Sequence, residues 1–198
     1  MKKLISTIAI LVGLATSVQA FTITNIGTVQ SREYNELLDR MIKSDLKVWA
    51  GVDSQGYELV KFDIDGGLKN MGFALWKPKE GDDTTATLYG YEKWDFVLSK
   101  ALEWGEIAQT NAVDHSAEIG DCSTVDIKCT AKFVSISNGD TIWVKFDMED
   151  KDNQFYKAEP VVLLEDIRTL DNLFRVGAPA HWEKVRNQAT KDKSDLFN

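Results

Sequence analysis

Histidine and cysteine are scarce in these 198 residues, with two of each. Cys122 and Cys129 alone supply too few ligands for a metal centre, and His115 and His181 have no further histidine to join them. No Gly-x-Ser-x-Gly elbow and no His-Glu-x-x-His helix occurs, so two familiar hydrolase signatures are missing. Basic residues are outnumbered, 23 against 31 acidic. A phosphate backbone or an anionic membrane surface repels such a chain, which leaves nucleic acid a disfavoured partner. Past residue 20 no apolar run approaches the ~18 residues of a membrane helix. No cofactor motif is present either.

What the sequence does have begins at its start. Lys2 and Lys3 precede an apolar run from Leu4 to Leu14, and small residues Val18 and Ala20 follow at the positions a signal peptidase reads. This order is that of a secretory signal peptide at 1–20, with cleavage after Ala20 and a single exported domain over 21–198. The expected location is the bacterial periplasm or exterior. Without Lys2 and Lys3 the 23 basic residues fall to 21 against 31 acidic ones, a net charge of −10. Hydrophobic residues at 43% and charged residues at 27% are ordinary for a globular chain, so disorder is not the reading. In an oxidising compartment Cys122 and Cys129 are expected to pair, since six residues separate them and no other cysteine competes.

Helical spacing of Tyr34, Leu37, Leu38, Met41 and Ile42, with Ser31 as N-cap, predicts a first helix over Ser31–Leu46. Strand-like runs follow at Leu46–Val52, Tyr57–Ile64, Phe73–Lys77 and Thr85–Tyr91, separated by short turns. Trp94 to about Thr110 is the strongest helix, apolar over more than one stripe and so deeply packed. Val125–Ser137 and Thr141–Glu149 are joined by Asn138-Gly139-Asp140, a strong hairpin signal. A third helix ends at Gly177 and starts at Pro160, unless Val161–Leu164 is still strand. Pro179 opens a short last helix with Trp182 and Val185, and the polar tail 187–198 is expected to fray. The expected class is α+β, with a mainly antiparallel sheet of about six strands, three to four helices and one short-range disulfide.

Candidate chemistry is sparse. His115 lies in Asp114-His115-Ser116, but triad partners meet through the fold and not through adjacency. The acidic runs at 147–153 and at Asp63 and Asp65 supply oxygens without a complete calcium loop, which reads as solvated turns and no metal. The aromatic pattern says more. Alternation turns Trp143, with Thr141, Lys145 and Asp147, to the face opposite Ile142, Val144, Phe146 and Met148. Trp49, with Lys47, is placed likewise in its own strand. Trp49, Trp143, Lys47 and Lys145 are therefore the candidate binding residues, suited to stacking on sugars or anchoring a protein. The alternative is that helices cover both sheet faces and make both tryptophans second-layer core. Trp76, Trp94 and Trp104 read as core. The expected role is a non-catalytic binding module with an exported protein or a glycan as partner. Alternatives are a hydrolase using acidic residues, with His115 assisting, or an inhibitor covering a basic exported enzyme.

Overall fold

A computed structural model of the chain describes residues 22–35, 38–53, 55–66, 69–78 and 90–195. The predicted leader and its cleavage site lie outside these residues, as does nearly all of the strand expected at 85–91. Among them, nine strands form one antiparallel sheet: β1 (Thr22–Asn35), β2 (Arg40–Val52), β3 (Glu58–Gly66), β4 (Lys69–Trp76), β5 (His115–Asp121), β6 (Ile127–Ile136), β7 (Thr141–Asp150), β8 (Lys157–Ala158) and β9 (Val161–Leu163). Their order is β4-β3-β2-β1-β9-β7-β6-β5, with β8 also paired to β7. The helices are α1 (Tyr91–Asn111), α2 (Leu164–Asn172) and α3 (Ala178–Asp195), the last two joined by a π turn at Leu173–Gly177. The α+β class with a large antiparallel sheet and one disulfide is as expected; the numbers of strands and helices are not.

The helix expected over Ser31–Leu46 is a β-hairpin, β1 with β2. In so short a segment the 3.6 and 2 periods compete, and sheet pairing decides. Ser44, Leu46, Val48 and Ala50 are buried at every second position. Ser31 caps nothing: its hydroxyl lies 2.6 Å from that of Ser44 across the ladder. Tyr34 and Met41, which suggested a helix face, pair across the hairpin and stay 52% and 44% exposed. β5 escaped notice because its polar residues surround a single buried apolar one, Ile119.

The second correction concerns the C-terminal helices. The chain stays helical through Gly177, because the Ala178 N–H reaches back five residues to the Leu173 carbonyl. This widened turn immediately precedes Pro179, which has no N–H to offer an α-helical bond. α2, the π turn and α3 are thus one continuous helical stretch, and with α1 they make two helical bodies among the described residues, where three to four helices were expected. α3 also runs on to Asp195 where fraying was expected.

One face of the sheet, the inner one, wraps α1. Trp94 is fully buried, stacked on Phe146 of β7 at 5.0 Å and packed against Phe62 and Phe73 of β3 and β4. Its indole N–H donates to the Cys122 carbonyl at 2.9 Å. Cys122 and Cys129 form the predicted disulfide, and both are buried. Lys93 and Ser123 donate to the Asp121 carboxylate, fastening the disulfide loop to α1. α2 packs on α1 where Gly105 leaves room for Leu164, and α3 closes the far end as Trp182 donates to the Leu59 carbonyl. The Asn138-Gly139 turn appears as expected between β6 and β7. Gly139, at φ 84°, lies so close to α1 that a Cβ would stand 2.4 Å from the Ala108 carbonyl oxygen. Trp104 packs on the edge of the core, but Trp76 is half-buried and alternates with Leu75 onto the other face.

Candidate binding face

Alternation fills the inner face with apolar side chains and gives the outer face most of the polar ones, although β9 turns Val161 and Leu163 outward. Residues paired directly across an antiparallel ladder point the same way, and register therefore maps that face. Trp143 pairs with Val134 of β6 on one side and Leu163 of β9 on the other, giving an apolar row three strands wide. All three side chains are half-buried, neither sealed nor fully exposed. One step along the strands, Lys145 pairs with Lys132 and with Val161. Val161 pairs with Arg32, and Arg32 with Lys43.

Trp49 occupies the same outer face, half-buried, with its indole N–H enclosed and unpartnered. It does not adjoin Trp143. β1 and β9 intervene between β2 and β7, at least three strand spacings or about 14 Å. Lys47 donates to Asp65 at 2.7 Å, and that hydrogen bond and charge raise its pKa. Lys145 sits between Asp147 and Glu159, each 2.7 Å away. Partial desolvation opposes its charge, yet the two carboxylates raise its pKa. The four expected binding residues thus fall in two places, Trp143 with Lys145 on β7 and Trp49 with Lys47 on β2.

The residues that sequence reasoning missed are Arg32, Lys43, Lys132, Val134 and Leu163. Alternation in β6 would have turned Lys132 and Val134 outward, but nothing in the sequence says that β9 lies beside β7. Arg32 and Lys43 were hidden inside the segment read as a helix.

His115 opens β5, with its ring edge-on to Trp104 at 5.9 Å and near Phe133. The neighbouring Asp114 carboxylate accepts the Asn138 backbone N–H at 2.6 Å. His181 is half-buried on α3; burial, then the nearby Lys184, lower its pKa, and its Nε2 is enclosed without a partner. In the acidic run, Asp150 accepts the backbone N–H groups of Asp152 and Asn153, and Glu149 pairs with Lys157. Asp63 pairs with Lys61. Among the described residues no three His, Cys, Asp or Glu side chains are placed to hold a metal ion, and no helix is long and apolar enough to cross a membrane. No family model, curated protein or solved structure matches this chain.

Proposed function

We propose that this chain is a non-catalytic binding module of the bacterial envelope, holding a protein or glycan partner on the outer face of its sheet. The observation that carries the reading is the half-buried row Val134–Trp143–Leu163, on the face opposite the one that wraps α1. A flat indole beside aliphatic side chains offers a large contact area at small entropic cost, and such residues dominate binding energies. Export is supported by the leader-like start and by the closed disulfide, which suits an oxidising compartment.

The test is affinity capture from an envelope extract with three baits: the exported wild-type chain, Trp143→Ala and Trp49→Ala. A partner held by wild type and Trp49→Ala but lost by Trp143→Ala supports the reading. A partner held equally by Trp143→Ala contradicts it. Elution in rising salt separates contact centred on Trp143 from charge-driven covering of a basic enzyme, which weakens steeply.

A further inference from the structure

The sheet has an open edge besides its two ends. β1 runs for 14 residues, but β9 meets it at the single pair Arg32–Val161. β9 ends at Leu163, where the chain leaves the sheet to begin α2. From Thr22 to Ser31, among the described residues, β1 therefore has β2 on one side and no strand on the other. β1 and β7 stand two strand spacings apart across β9, about 9.6 Å, so the lane that β9 vacates is one strand wide. α2 packs against both β1 and β7. Leu173 lies against Gly27, which pairs with inward-facing Val48, so the helical stretch floors the lane from the inner side.

Alternation decides which main-chain groups face the lane. The Asp166 carboxylate accepts the Gln30 backbone N–H, which marks Gln30 as lane-facing. Thr28, two positions earlier, faces the lane likewise, whereas Val29 and Ser31 turn their main-chain groups to Leu46 and Ser44 of β2. Thr28 and Gln30 are both exposed. Open edges are normally blunted by charge, proline, bulges or a covering element. Both ends of the sheet follow this rule: β5 carries Glu118, Asp121 and a bulge, and β4 is bridged at Trp76 to Gly90. β1 follows it only in a bulge at Ile26. Thr22–Ser31 has no charged residue and no proline, in a chain that is 27% charged.

Resting on the binding-module reading, we propose that the partner is a protein, and that an uncharged extended segment of it adds to β1 as a strand in this lane. N–H donors and C=O acceptors repeating at the strand interval are complemented by another extended backbone, the chemistry of strand addition. Thr22–Ser31 offers a charged segment no counter-charge. A second copy of this chain is not the occupant, because its β1 already carries β2, and a paired strand is wider than the lane. The lane opens beside Leu163, so an added strand lies next to the Val134–Trp143–Leu163 row.

The test begins with amide hydrogen exchange in residues 21–198, which needs no partner. Corrected for intrinsic rates, the Thr28 amide should exchange roughly a hundredfold or more faster than those of Val29 and Ser31. A Thr28 amide as slow as its neighbours overturns the proposal. Loading with a partner from the capture experiment should slow Thr28 by roughly tenfold or more, and unchanged exchange overturns the proposal. Thr28→Pro removes the lane donor and spares the β2 ladder, a substitution that edge strands tolerate. Used as a further bait, with its Tm showing that it is folded, it should lose the partner that wild type holds. A partner held by Thr28→Pro but lost by Trp143→Ala overturns the lane and leaves the binding face standing. The reverse pattern supports the lane and contradicts the face. Capture of a glycan in place of a protein overturns the proposal.

Discussion

Replacing both Cys122 and Cys129 by alanine opens a loop whose ends are seven residues apart. Closing so short a loop removes about 8 cal/mol/K of unfolded-chain entropy, or about 2.5 kcal/mol at 25 °C. The folded side adds to this. Both sulfurs are buried, so alanine leaves a small void worth up to about 1 kcal/mol. The local framework survives, because the Cys122 N–H still reaches the Cys129 carbonyl at 3.0 Å and the Ser123 hydroxyl still accepts the Cys129 N–H. The double variant should therefore fold, with stability lower by about 3 kcal/mol and Tm lower by roughly 6–12 °C. Urea unfolding of the oxidised wild type and the variant measures the difference, with an unchanged slope showing that the same surface is exposed. A shift below about 0.5 kcal/mol refutes the loop-closure reasoning. Burial of the sulfurs carries a kinetic corollary: reductant should open the bond in wild type no faster than the protein unfolds.

Three further perturbations probe the framework. Trp94→Phe leaves the buried Cys122 carbonyl without its indole donor and should cost about 2–4 kcal/mol in urea unfolding, whereas a cost under 1 kcal/mol would mean that the bond is replaced. Gly139→Ala combines a positive φ with a clash against the Ala108 carbonyl, and calorimetry should show a loss of at least about 2 kcal/mol. At Asp121, partial desolvation opposes ionisation, but Lys93 and Ser123 hold the carboxyl down to about 2 from 3.8. The resulting stability is present above about pH 4 and is lost as pH falls towards 2. Because the side chain is 56% exposed, screening limits it to at most about 1 kcal/mol. Asp121→Asn should flatten the acid limb of the stability curve, and an unchanged limb would contradict the assignment.

Legibility in the sequence followed the strength of each local signal. The disulfide, α1 and the β6–β7 hairpin were readable because two cysteines can pair only with each other, because the Trp94–Ala108 apolar set spans a whole helix, and because Asn138-Gly139 tolerates positive φ. Alternation also turned Trp143 and Lys145 to the correct side of β7. Failures came where long-range pairing decides. Tyr34, Leu38 and Met41 mimic a helical stripe, yet their segment is held by its cross-strand ladder. Gly177 and Pro179 read as a stop and a restart, while a π turn carries the helix through both. The row Lys43–Arg32–Val161–Lys145–Lys132 was invisible for the same reason as the neighbours of Trp143: it is a property of strand order, with five strands contributing one residue each.

Hydroxyl-radical footprinting of residues 21–198, free and loaded with a partner from the capture experiment, tests the binding-face account most directly. The account predicts that Trp143, Val134 and Leu163 lose reactivity on loading, while Phe155 and Phe96, exposed elsewhere, keep theirs. Undiminished labelling of Trp143, with protection on α3 or around His115, would contradict it.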